Sequence, residues 1–443
     1  MNLDVDRQTL NDLALFQNGN SRKFIFSIFN NTKTIGGKEK LEDIFNMPLT
    51  SPEQIKERIE ILSYIQTCNL EFNADKNTCD FIEFYLKKRN PVRSFSVVLG
   101  FLERIIYAFN STNDYYVIHQ GVINTLNLLE ELLKFVSTVT TPLPRVLEAF
   151  RSTIVTAFQT AEFSGIKQLF GKGKYSAIEI AKADHLFRHT AKQKVKELLE
   201  IVYELDVCQT ISSSGKALGF SLPSILENEK PRLIIKGLFH PFINNPVVND
   251  IAFSPDKNVC FITGTNMAGK STLLKAVGIT VYLSQLGFPV PATEMQTSVF
   301  KGLITTINLS DDIEQGHSHF YKEVLRVKQV AEKINLSQNM FVIFDELFRG
   351  TNVKDAYDAS LAIIAAFAKV KTCFFIISTH IVEVAHDLAH INNIDFRYIE
   401  TVFDNADPVN SYQLKQGITE ERLGMWIVKN ERILEIIESS IKE

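Results

Sequence analysis

The sequence predicts an α+α/β protein, a helical domain over residues 1–230 followed by a phosphate-loop α/β domain over 231–443. Three observations carry that division. The apolar run Val259–Thr263 leads straight into "GTNMAGKS", Gly264 to Ser271, and residues 272–286 behind it read as a helix. Two further apolar runs of strand length, 340–344 and 373–377, stop on polar residues, Asp345-Glu346 and Ser378-Thr379-His380. In the first half the apolar residues recur at helical spacing instead.

From the amino terminus onward, Ser51-Pro52-Glu53-Gln54 is a capping box with proline at the first helical position, and Ile55, Ile59 and Leu62 continue one apolar face. Val122, Leu126, Leu129, Leu133 and Val136 repeat the stripe in a second long helix, and residues 178–207 carry a third. Such stripes pack helices together and are not ligand sites. Two basic stretches, Lys87-Lys88-Arg89 with Arg93 and residues 167–196 with Arg188, read first as solvated faces and second as contacts for DNA phosphate. The polar, proline-bearing "LENEKPR" at 226–232 marks the expected boundary.

The chemistry concentrates in the second half. Gly264 to Ser271 has the spacing G-x-x-x-x-G-K-[ST], in which glycines let successive backbone N–H groups turn inward around phosphate oxygens. Lys270 reaches the β- and γ-phosphates, Ser271 offers its hydroxyl to Mg²⁺, and the following helix aims its positive end at the same anion. Asp345, closing a core strand, is placed to hold Mg²⁺, and Glu346 to orient or deprotonate the water that attacks the γ-phosphate. His380, just past the next strand, is placed as a γ-phosphate sensor, since open α/β sheets gather ligand groups at the carboxyl ends of their strands. Each feature alone has a blander reading: a chance glycine turn, a solvated acidic pair, a structural histidine. Their shared order behind apolar strands favours nucleotide chemistry.

Composition bounds the rest. The chain of 443 residues, 45% of them hydrophobic, is long enough for a sizeable core. A formal charge of −4 does not advertise nucleic acid, so any DNA contact must come from local patches or from enclosure by a dimer. Five scattered cysteines without metal spacing fit a reducing compartment. The polar, acidic start and the lack of long apolar runs predict a cytoplasmic protein with no membrane partner.

In order and separation, "GTNMAGKST", "PVPA" (289–292), "DDIEQGHSHFYKEV" (311–324), "DELFRGTN" and "STH" resemble the ATPase domain of the MutS mismatch-repair family, an ABC-class fold. The resemblance implies that Gly264, Thr265, Asn266, Met267, Ala268, Gly269, Lys270, Ser271 and Thr272 cradle ATP. It implies that Ser318 reaches the nucleotide of a partner subunit in trans, and that Val247 and Asn249 lie where adenine contacts fall. Gly350 and Thr351 match the subunit-crossing loop. The sequence departs from the family in Ser318-His319-Phe320, where S-T-F is usual, and in Ala268, where glycine is usual. Residues 20–62, with the turn Thr34-Ile35-Gly36-Gly37 and the step Met47-Pro48-Leu49, are similar to the start of the family's core domain, so the helical half is expected to be a core and lever. Residues 419–441, with Leu423, Trp426, Ile427 and the run 433–437, resemble the family's dimer-locking end. The Phe-x-Glu wedge of mismatch readers has no counterpart in this sequence. The resemblance therefore implies a homodimeric, Mg²⁺-dependent ATPase acting as an ATP-switched clamp on DNA, in mismatch repair or a related transaction, with little selectivity for mismatches. The alternative is an ATP-gated scaffold whose client is a protein, because the mismatch wedge has no counterpart and the net charge is acidic; the feature that separates the two is the lever tip, where about residues 90–175 are few for the family's full DNA clamp.

Overall fold

A computed structural model describes residues 2–17, 23–73, 75–88, 113–227, 230–265, 268–307, 319–348, 351–404, 407–419, 428 and 430–439. The chain forms two compact units, one made of Met1–Ser27, Met47–Lys56 and Gly215–Glu443, the other of Ile28–Asn46 and Glu57–Ser214. A single cut at 230 is therefore not how it divides. Residues 224–225 form a strand of the α/β unit, and so do residues 4–5.

The α/β unit holds two sheets. With strands numbered along the chain, β1 is Asp4–Val5, β2 Ser224–Ile225, β3 Leu233–Leu238, β4 Asn249–Phe253, β5 Val259–Thr263, β6 Glu294–Thr297, β7 Gly302–Thr306, β8 Met340–Asp345, β9 Phe374–Ser378, β10 Ile394–Asp404 and β11 Asp407–Gln416. The larger sheet has the order β1-β7-β8-β9-β5-β10-β11, parallel throughout except for the β10–β11 hairpin. The smaller has the order β2-β6-β3-β4. Every residue of β5, β7, β8 and β9 is buried. Parallel strands covered on both faces read as unbroken apolar runs, which is why they stand out in the sequence. One face packs on helices Val353–Ala368 and Val382–Leu388, where Phe367 stacks on Phe375 and Phe344 at 4.6 and 5.8 Å between ring centroids. On the helix Lys270–Gln285, Gly278 leaves room for Leu13 and for Ile343 of β8.

The amino-terminal residues complete this unit. β1 pairs in parallel with β7, Thr9 Oγ1 accepts a bond of 2.9 Å from the Thr305 N–H, and the Asp12 carboxylate accepts from Thr305 Oγ1 at 2.7 Å and the Ile307 N–H at 2.9 Å. Arg326, on the helix His319–Leu336, binds Asp6 and the Thr305 carbonyl.

Among its described residues the second unit is built from helices, including Ile35–Asn46, Lys76–Lys87, Asn113–Thr138, Arg145–Gln159 and Ala177–His185. The expected turn at Gly36-Gly37 is instead the first turn of a helix. A Cβ on Gly36 would lie 2.3 Å from the Tyr203 ring, so the glycine serves close approach and not a bend. Buried Asp206 caps that helix, accepting from the N–H groups of Lys33 (3.0 Å) and Thr34 (2.9 Å). The Ser51 cap holds in part: the Gln54 N–H reaches Ser51 Oγ at 3.4 Å, but the hydroxyl turns to Glu53 and not Gln54. The single helix expected over 178–207 is broken by a π-turn at Leu186–Thr190, and the helix Lys192–Ala217 follows it. That turn brings Arg188 inward, where it pairs with Asp184, itself bonded to the Tyr85 hydroxyl at 2.7 Å. Arg188 is thus a core cation and not a surface contact, and two of the neighbouring lysines, Lys172 and Lys194, pair with Glu179 and Glu162. Arg89 and Arg93 lie outside the described residues, as do Leu423, Trp426 and Ile427.

Candidate active site

Strand β5 ends at Thr263, and the chain turns through Gly264 and Thr265 before entering the helix Lys270–Gln285. Gly269 caps this helix at φ 97°, and a Cβ there would lie 3.1 Å from the Tyr412 ring, so both backbone and space call for glycine. Ala268 is fully buried, its methyl taken up inside the turn. Lys270 is buried and donates from Nζ to the carbonyls of Gly264 (2.7 Å) and Thr265 (3.0 Å), with Glu346 Oε1 at 3.8 Å. A desolvated ammonium at the amino end of a 16-residue helix makes a strongly positive locus for an anion.

The order of strands assembles the remaining groups. β9 lies between β5 and β8, and its last residue, Ser378, pairs in register with Asp345 at the end of β8. The hydroxyls of Ser271 and Ser378 bond to opposite oxygens of the Asp345 carboxylate. Glu346 follows in a left-handed conformation, φ 53°, its N–H held by the Ser378 carbonyl at 3.1 Å. Its carboxylate, 15% exposed, faces Lys270 on one side, with His380 Nδ1 at 3.6 Å on the other. Lys270, Ser271, Asp345, Glu346 and His380 are therefore brought together within one cluster.

Beside the loop lies a cavity of about 520 Å³, walled by Phe239, His240, Ile243, Val247 and Tyr412 and floored by Gly269 and Thr272. Asn249 lines it as well, but spends its amide on β11, donating to the Tyr412 carbonyl at 3.0 Å and accepting from the Leu414 N–H at 2.6 Å. Burial, reinforced by Lys275, pushes His240 down to a pKa of about 4, so this wall is uncharged at neutral pH. Phe239, His240 and Tyr412 carry no signal in the sequence, and Ser378 enters there only as part of the motif "STH", with no role of its own. Tyr412 lies beside the loop because β11 folds back on β10 and is tied to β4 by the Asn249 side chain, a contact that no local pattern reports. Asn266, Met267, Ser318 and Gly350 lie outside the described residues, as does the side chain of His319.

Residues 260–442 match the family model described as MutS domain V. The DNA mismatch repair protein MutS of Petrotoga mobilis is 29% identical over 275 residues, 60% of this chain and 33% of that protein. The DNA mismatch repair protein MSH7 of Arabidopsis thaliana is 26% identical over 488 aligned residues, covering 96% of this chain and 43% of the relative. The MutS protein homolog 4 of Mus musculus is 29% identical over 255 residues, 53% of this chain and 26% of its own length. The chain thus spans less than half the length of each of these relatives.

Proposed function

Through residues 260–442 the chain belongs to the MutS family, and from that premise we propose that it binds and hydrolyses ATP with Mg²⁺ as a dimer, using the energy to switch a clamp on DNA. The observation that carries this reading is the meeting of Lys270, Ser271, Asp345, Glu346 and His380 at the carboxyl ends of β5, β8 and β9. The loop N–H groups and Lys270 take the phosphates, and the adjoining cavity takes the nucleoside, with Tyr412 and Val247 in its walls. Ser271 and Asp345 supply the hydroxyl and carboxylate oxygens that suit a hard divalent cation. When bound, Mg²⁺ neutralises charge on the β- and γ-phosphates. Glu346 takes the proton of the attacking water and His380 meets the γ-phosphate. The helical unit serves as core and lever ahead of an ABC-type ATPase domain, and Ser318 acts across the subunit boundary.

Lys270→Ala removes a charged hydrogen bond, so ATP affinity should fall roughly 10- to 100-fold. Glu346→Gln should leave binding intact and lower turnover about 10²- to 10⁴-fold, the usual worth of a general base. Equal ATP affinity in Lys270→Ala and the parent protein would remove the loop from the site.

The second reading, a nucleotide-gated scaffold acting on a protein, is favoured by one observation: Arg188, Lys172 and Lys194 are engaged by carboxylates of their own unit. A salt titration of binding to linear, mismatched and four-way DNA separates the two. Phosphate contacts produce a steep loss of affinity with salt, whereas a protein-directed scaffold binds none of these DNAs with measurable affinity.

A further inference from the structure

Ser378 is fully buried at the end of β9, in register with Asp345. Its hydroxyl donates to Asp345 Oδ1 at 2.5 Å and accepts the Glu346 N–H at 3.2 Å, while its carbonyl accepts the same N–H at 3.1 Å. One side chain therefore hydrogen-bonds to both acidic residues of the cluster. Glu346 needs that hold, because its left-handed backbone is disfavoured for a residue with a Cβ and persists only where neighbours fix it. The other donor to Asp345 is Ser271, and its oxygen is the one expected to serve Mg²⁺. That bond is shared with the ligand's task, whereas the bond from Ser378 is not.

We propose that Ser378 is a positioning residue that orients the Asp345 carboxylate for Mg²⁺ and locks the backbone of Glu346 for its work on water. The inference rests on the ATPase reading above and assigns a role in it to a residue outside the set expected to hold nucleotide or metal. Partners that orient a metal-binding carboxylate typically contribute about 10- to 100-fold to metal affinity or activity.

The test compares Ser378→Ala and Ser378→Thr with the parent protein by equilibrium binding of a fluorescent ATP analogue, with and without Mg²⁺, alongside steady-state hydrolysis and thermal unfolding. In Ser378→Ala the metal-free affinity should stay within about 2-fold, the tightening caused by Mg²⁺ should shrink about 10-fold, and kcat should fall about 10-fold with little change in KM. Ser378→Thr retains the hydroxyl and should restore both. If threonine does not fit the buried site, Ser378→Cys, close in size but a poor donor, should reproduce the alanine defect. Unchanged tightening by Mg²⁺ in Ser378→Ala overturns the proposal. So does an equal loss of affinity with and without the metal, which would mark a packing role. Absence of hydrolysis in the parent protein would instead overturn the ATPase reading, and the Mg²⁺ comparison would still decide the role of Ser378.

Discussion

His240 forms part of the cavity wall, with its Nδ1 facing the Phe242 N–H at 3.4 Å, and its pKa of about 4 has a consequence for stability. In the unfolded chain the imidazole titrates near 6.5. Between those values the unfolded state takes up a proton that the folded state refuses, so stability is full above about pH 6.5 and is lost as pH falls towards 4. His240→Gln should flatten that limb, a difference read from denaturant midpoints at pH 7 and pH 5; an equal fall in both proteins would mean the histidine is not responsible. At this scale much of the cluster is legible in sequence. Lys270, Ser271, Asp345, Glu346 and His380 each follow a strand whose apolar run announces it, and their chemistry depends on that local position. Ser378 and Tyr412 depend on what lies in the neighbouring strand, and a serine or tyrosine in a strand carries no mark of its partner.

At the scale of elements, β5, β8 and β9 were read within one residue of their observed limits because full burial leaves continuous apolar runs. The glycine pair at 36–37 and the π-turn at 186–190 were misread for a common reason: each answers to a side chain distant in sequence. Gly36 makes room for Tyr203, and Arg188, inside the π-turn, lies over the ring of Tyr85 far back in the chain while pairing with nearby Asp184. Gly36→Ala tests the first of these. Helix propensity alone would favour alanine by roughly 0.8–1.0 kcal/mol, whereas overpacking against a fixed ring costs about 1–3 kcal/mol. The expected result is a net loss of stability, and Tyr203→Leu in the same chain should relieve it, since the double variant frees the space. A stabilised Gly36→Ala would show that the ring yields.

At the scale of the whole molecule, the proposed trans role of Ser318 makes activity a property of pairs. Ile433, Leu434, Ile436 and Ile437 leave much of the terminal helix Ile433–Ser439 exposed and apolar, which suits a contact between copies. Turnover per chain should therefore rise with protein concentration. Mixing Ser318→Arg with Lys270→Ala subunits should restore part of the activity that neither has alone, because one composite site in the mixed dimer is intact. No recovery in verified mixed dimers would rule out shared sites. The two-unit division was only partly legible, since residues 1–27 join the α/β unit through contacts with β7 nearly three hundred positions away. That distance matters during synthesis. At about 5–20 residues per second, the first strand emerges some tens of seconds before the strand it must lie beside. Until β7 emerges, β1 waits without its partner, and in a chain that lacks β1 the β7 edge is left unpaired and able to recruit a stray strand from another chain. A variant trimmed of residues 1–13 should keep its phosphate loop and yet accumulate as aggregate when expressed, a liability of manufacture and not of catalysis.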